Sequence, residues 1–344
     1  MKIVIAPDSF KECLSAVHVA QVMAQVVQEL YPEAEVVLCP LADGGEGTLE
    51  ALARSVPMRM ETVSVHDPLG RLIPAHWGQW GKEAVIESAQ ACGLMLLSPL
   101  ERNPCTASSQ GVGELLMDAY RQGFRHFIIG LGGSATCDGG AGMLAVPGIR
   151  EALRDSTIEL LCDVEAPFVG PLGAARVFAP QKGATPEQVE ELELKMLQQA
   201  AALKAETGVD VSRLSGAGAA GGLGGAFMAY GARMQKGIER MLDMVGFKDQ
   251  VRGADLIITG EGKSDAQTLM GKVPFGVLQL AGTTPVALVS GQVQDRYALE
   301  QAGFSVIEEV SPRSQPLEEA MRPEIAVKNL SKAVAKTLIN FFKS

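Results

Sequence analysis

The chain has 344 residues, enough for two domains with a buried core in each. Its apolar fraction is 47%, and 30 Lys+Arg against 40 Asp+Glu give a formal net charge of -10 with no basic block. Nucleic acid and membrane surfaces, which need clustered positive charge, are not expected as partners, whereas a small anion can be held by a few local lysines.

The N-terminal "KIVIAP" reads as a buried parallel strand stopped by proline, too short for a secretion signal. "SAVHVAQVMAQVVQELYP" follows with helical periodicity, Ser15 as N-cap and Pro32 past the end. "EVVLCPLADGG" is a second strand running into a glycine loop. From about Glu61 the texture changes to alternating apolar and polar residues around Pro68-Leu69-Gly70, which predicts an antiparallel hairpin. A helix in "SSQGVGELLMDAYRQGF" and a buried strand in "HFIIGLGG" come next. "TPEQVEELELKMLQQAAALKAET" is an amphipathic helix with Thr185 as N-cap, Pro186 at the first helical position and Gln188 completing a capping box. Parallel-strand texture returns in "ADLIITGEG" and "TPVALVSG".

This order predicts an α/β fold of two domains. The first, a parallel-sheet domain formed by both chain ends, takes residues 1–61 and 252–344, and a second α/β domain, 62–251, is inserted into it. The six cysteines lack a C-x-x-C pair and the four histidines are dispersed, so disulfide-scaffold and metal-finger readings lack their spacing. A reduced, cytoplasmic enzyme fits, and a homo-oligomer stays open.

Six stretches combine glycine with acid, hydroxyl or lysine: 6–11, 42–48, 130–143, 162–164 with 178–185, 215–227 and 260–272. Glycine loops let backbone N–H groups approach phosphate oxygens, lysines neutralise the charge, carboxylates hold Mg²⁺, and one more carboxylate can take a proton from an acceptor hydroxyl. Lys11, Lys182, Lys263 and Lys272 are the lysine candidates; Asp8, Asp43, Glu46, Asp138, Asp163, Glu261 and Asp265 are the carboxylates. "GEGKS" is not a P-loop, because Ile257 occupies the position of the first glycine of G-x-x-x-x-G-K-[ST]. "GAGAAG", Gly216 to Gly221, spells a dinucleotide fingerprint but lacks a convincing buried strand before it, which keeps an NAD-dependent dehydrogenase only as an alternative. "GLGGSATCDGG" is not a G-x-S-x-G nucleophile elbow, and Cys137 and Cys162 have no paired histidine nearby in sequence.

Taken jointly, "KIVIAPDSFKECLSA", "PLADGGEGT", "GLGGSATCDGGAGM", "CDVEAPFVGPLGAARVFAPQKGAT", "SGAGAAGGLGGAF" and "ADLIITGEGKSDAQTLMGKVPFGV" resemble the bacterial type I glycerate kinase family, in that family's order and across most of the chain. The resemblance implies a two-domain, Rossmann-like α/β kinase that uses ATP and Mg²⁺ to convert D-glycerate to 2-phosphoglycerate. A 3-phosphoglycerate product or another small hydroxy acid are the alternatives. Within it, residue reasoning assigns Lys11 and Gly132, Gly133, Ser134 and Asp138 to phosphate or the glycerate carboxylate, with Ser9, Gly44, Gly45, Lys182, Gly260, Gly262 and Lys263 as further binding candidates. Asp43 and Glu46, or Asp163, would organise Mg²⁺; Asp8 or Asp265 would be the base, unranked. The chain departs from the family pattern after Ala145, where a longer stretch is expected, and near Gly282. The abrupt Ala145–Val146 junction, without turn chemistry, suggests an omitted segment.

Overall fold

The computed structural model describes residues 1–312 and 314–343. It divides into two compact units: 1–43, 50–56 and 238–344 in one, 44–49 and 57–237 in the other. In chain order the strands are β1 (Lys2–Ile5) and β2 (Glu35–Leu38) in the first unit. The second unit holds β3 (Arg59–His66), β4 (Leu72–Trp80), β5 (Glu83–Glu87), β6 (His126–Gly130), β7 (Thr157–Leu161) and β8 (Arg233–Gln235). The first unit resumes with β9 (Leu256–Thr259), β10 (Lys263–Ser264), β11 (Val286–Ser290), β12 (Gln292–Val293) and β13 (Val306–Glu309).

The first unit is a parallel sheet of order β13-β11-β9-β1-β2, with β10 and β12 forming a short parallel pair. Ile3, Val4 and Ile5 and all of β9 and β11 are buried, as expected where helices cover both faces of a sheet. Helix Ala16–Leu30 starts at Ser15, whose side chain accepts the His18 N–H. Its buried stripe of Val19, Met23, Val26 and Val27 shares a core with Leu330, Val334 and Leu338 of helix Pro323–Lys343. Each such side chain, fully withdrawn from water, contributes about 1.5–3 kcal/mol.

The second unit is a mixed sheet of order β3-β4-β5-β6-β7-β8. The β3–β4 hairpin is antiparallel, His66 facing Leu72, and Asp67 Oδ1 closes the turn by accepting the Leu69 and Arg71 N–H groups. β5 to β8 pair in parallel. Trp77, Phe127, Phe168 and Phe227 are fully buried among them, and the Trp77 indole donates to Asp118 Oδ2 at 2.9 Å. Helix Pro186–Thr207 has the capping box of Thr185 and Gln188 and stops at Gly208 in the left-handed region.

The Ala145–Val146 junction lies in a short connection between two helices. Ala145 closes helix Ala141–Leu144, Ile149 N–H bonds to Val146 C=O at 3.2 Å, and the turn is made at Pro147-Gly148, with Gly148 at φ 82° before helix Ile149–Arg154. No helix among the described residues is long and apolar enough to cross a membrane.

Candidate active site

In the first unit the chain passes from β1 through a helix to β2 on one side, while β9, β11 and β13 build outward on the other. Strand order therefore reverses between β1 and β9, and open α/β sheets bind ligands beyond the carboxyl ends of their strands at such a reversal. The segments found there are Asp8–Lys11 after β1 and Gly260–Asp265 after β9. Asp8 N–H donates to Gly260 C=O at 2.8 Å, and a Cβ on Gly262 would lie 3.5 Å from Lys11 N, so the two loops touch.

Asp8 is buried, and its Oδ1 accepts the Ser9 N–H at 2.7 Å. Burial, aided by the nearby charge of Asp43 and against the pull of the Ser9 N–H and Lys11, pushes its carboxyl up to about 8. Glu261 is also buried; its Oε1 accepts the hydroxyls of Ser264 (3.0 Å) and Thr268 (2.5 Å), and Lys272 Nζ lies 3.4 Å from Oε2. Burial raises the Glu261 carboxyl despite those donors. Ser290 Oγ extends the network, 2.7 Å from Ser264 Oγ.

Asp265 behaves differently. It caps the short helix Ala266–Met270, its Oδ1 accepting Gln267 N–H at 2.9 Å and its Oδ2 lying 3.2 Å from Lys263 Nζ. Burial pushes this carboxyl up, but the Gln267 N–H, Lys263 and Lys272 outweigh it and hold it below its ordinary value. Two carboxylates that the sequence left unranked therefore stand in opposite environments, Asp8 raised by burial and Asp265 lowered by its donors.

The second unit gathers the other glycine loops at the carboxyl ends of β5, β6 and β7. Gly132 N–H donates to Gly44 C=O at 3.1 Å; a Cβ on Gly132 would lie 2.4 Å from Gly45 Cα, and one on Gly44, at φ 91°, 2.6 Å from Leu161 O. Backbones this close tolerate only glycine. Glu87, at the end of β5, holds the same loop from behind: its Oε1 accepts Gly47 N–H and its Oε2 Leu49 N–H, both at 3.1 Å. It is buried, and burial pushes its carboxyl up to about 7 against those two bonds. Sequence reasoning missed Glu87 because it treated this stretch as hairpin; an acid ending a buried strand was the available signal. Glu46 is exposed on the loop, and Asp163, after β7, accepts the Gly237 N–H at 3.1 Å.

Lys182 is buried and donates from Nζ to Ser134 Oγ at 2.9 Å and Thr136 C=O at 2.8 Å, which ties it to the Gly132–Asp138 loop. Burial pulls its ammonium down. Asp138 faces protein rather than an open loop: Oδ2 accepts the N–H and hydroxyl of Ser109 and the Gly142 N–H, and Oδ1 the Gly140 N–H, all within 3.0 Å. These four internal donors place Asp138 at the starts of two helices.

The "GAGAAG" glycines also pack internally. A Cβ on Gly221, at φ 65°, would lie 1.9 Å from Thr136 O, and Gly139 N–H donates to Gly221 C=O. No strand precedes the motif, residues 208–216 being turns, which removes the dinucleotide fingerprint. Cys92 and Cys137 are buried, and burial pushes their thiols up to about 12 and about 11, as suits packing residues rather than nucleophiles.

The Glycerate kinase family model matches residues 3–151 and 145–341, nearly the whole described chain. The chain belongs to the glycerate kinase family. The two matched pieces meet at the junction beyond Ala145 where the sequence departs from the family pattern. Glycerate 2-kinase of Escherichia coli strain K12 is 39% identical over 94% of this chain and 93% of its own. Glycerate kinase of Halalkalibacterium halodurans is 38% identical over 93% of each chain. A crystal structure from Salmonella typhimurium LT2, of a protein provisionally called glycerate kinase 2, superposes with a TM-score of 0.81 at 40% identity, covering 99% of this chain and 97% of that one. In this glycerate kinase family member, acids and lysines stand at the strand-order reversal of one unit, and close-packed glycine loops at the strand ends of the other.

Proposed function

We propose that the chain transfers the γ-phosphoryl group of ATP to a hydroxyl of D-glycerate, giving 2-phosphoglycerate. The observation that carries this reading, within a family of that name, is the buried carboxyl of Asp8 at the reversal between β1 and β9, with Lys11 and the Gly260–Lys263 loop beside it. Asp8 takes the proton of the acceptor hydroxyl as its oxygen attacks the γ-phosphorus. Lys11, Lys263 and the N–H groups of Gly260 and Gly262 receive phosphate oxygens, and Ser9 orients the acceptor. Gly44, Gly45, Gly132, Gly133 and Ser134 shape the acceptor's surroundings; Lys182 fixes that loop from inside. The two units act as domains, the first built from both chain ends.

Mg²⁺ suits this chemistry, because a hard divalent ion neutralises charge developing on the phosphoryl oxygens. Among the described residues no three carboxylate, imidazole or thiol side chains are gathered into a metal cage. An ion held by one or two carboxylates and by nucleotide phosphates needs no such cage. Asp43, close enough for its charge to oppose that of Asp8, fits that demand, and Glu46 and Asp163 are the further candidates. A reducing, cytoplasmic setting suits thiols such as those of the buried Cys39, Cys92 and Cys137.

The test is phosphorus NMR of the products from D-glycerate, ATP and Mg²⁺. A 2-phosphoglycerate resonance is expected. A 3-phosphoglycerate resonance overturns the position of transfer, and no phosphorylated glycerate overturns the substrate.

A further inference from the structure

The structure points to a purine pocket at the edge of the first unit. A cavity of about 350 Å³ lies between the β12 segment and the residues that follow β13. Its walls include Gln292, Val293 and Gln294 on one side and Ser311, Leu317 and Ala320 on the other. Val293 and Ala320 are buried, while Leu317 is 54% exposed. The lining is more polar than apolar: the amides of Gln292, Gln294 and Gln315, the Ser311 hydroxyl and the Glu309 carboxylate surround the aliphatic groups of Val293, Leu317 and Ala320. Such a set can hydrogen-bond the edge of a flat heterocycle while a few apolar groups meet its face.

The position of the cavity narrows its occupant. Gly291 N–H donates to Glu261 C=O and Gln292 N–H to Gly262 C=O, both at 3.0 Å; Ser311 N–H in turn donates to Gly291 C=O at 3.0 Å. The cavity wall at Ser311 thus stands two backbone ladder steps from the Gly260–Lys263 loop, about 10 Å at the usual strand spacing. That is the reach from a purine to the outer phosphates of a nucleoside triphosphate. β10 and β12, paired at Lys263↔Gln292 and Ser264↔Val293, form the bridge that fixes the two ends.

We propose that this cavity binds the adenine of ATP, with the side-chain amides of Gln292 and Gln294 matching the donor and acceptor on the purine edge and Val293 and Leu317 covering its faces. The inference rests on the kinase reading above. A crevice alone would not specify the ligand; here the amides and the ladder of backbone bonds to a glycine–lysine loop do.

Photolabelling of the full chain with 8-azido-ATP, followed by peptide mapping, tests the site without requiring turnover. Label is expected within 292–294 or 311–320 and is suppressed by excess ATP; label confined to other segments overturns the proposal. In parallel, Gln294→Ala and Leu317→Asp, both at exposed positions, should each raise the KM for ATP about tenfold while the KM for glycerate and the unfolding midpoint hold. Unchanged KM for ATP in both variants also overturns it. A protein that takes label in the cavity yet forms no phosphoglycerate upholds the pocket and overturns the glycerate reading alone. One that forms phosphoglycerate but labels elsewhere does the reverse.

Discussion

The two strand-end clusters use the same residue types to opposite ends. In the first unit, Asp8 and Glu261 are buried acids pushed above their ordinary range, beside exposed lysines 11 and 263. In the second unit, Asp138 is satisfied by four protein donors and Lys182 is buried against Ser134 and Thr136. An acid whose acceptors are full can hold a loop but cannot take a proton from a substrate. On the proposed function, chemistry belongs to the first cluster and shape to the second.

Four substitutions probe this division. The largest effect is expected at Asp8→Asn, which should lower kcat by about 10²–10⁴ if the residue is the base, while Asp265→Asn costs less than about tenfold. Equal losses would erase the distinction between the two carboxylates. The raised Asp8 carboxyl also sets a pH dependence. Activity should rise with pH through about 8 as the base ionises, a limb absent from Asp8→Asn. Stability runs the other way: between about pH 4 and 8 the folded protein keeps a proton that the unfolded chain has released, so the contribution of Asp8 is present at low pH and lost by pH 8. Asp8→Asn should consequently lose less stability than the parent as pH rises across that window, measured by urea melts at several pH values.

Next comes Asp138→Ala, which strands buried donors of Ser109, Gly140 and Gly142. It should cost about 2–4 kcal/mol in a urea melt. Activity per folded molecule should fall less than in Asp8→Asn; a stable but inactive Asp138→Ala would move that residue into the chemistry. The smallest effect is expected at Glu87→Gln, where one carboxamide oxygen must replace two acceptors for Gly47 and Leu49, at a cost of about 1–2 kcal/mol at neutral pH. Because the Glu87 carboxyl is pushed up to about 7, its contribution is strongest below its unfolded value and declines through pH 7, so the cost of Glu87→Gln should shrink as pH rises. A cost that grows with pH would mean that the ionised form is the one the loop requires.

Local patterning made much of the fold legible before any coordinates. Short apolar runs bounded by proline or glycine read as buried parallel strands, Ser15 and Thr185 announced their helices by cap chemistry, and Pro68-Leu69-Gly70 marked the hairpin. These signals are legible because they depend on neighbours within one turn or one strand. Motif order likewise disclosed the family. What the sequence could not supply was the separation of like residues. Asp8, Asp138 and Asp265 each follow a strand or a glycine loop, and nothing local tells a proton acceptor from a helix anchor from a cap. Only the tertiary structure set their environments apart, because burial, the charge of Asp43 and the donors of Ser109, 29 positions from Asp138, act through space. Glu87 stayed hidden for the same reason: its two partners lie some forty positions earlier in the chain, and an acid acquires such a role only when a sheet carries a distant loop to it.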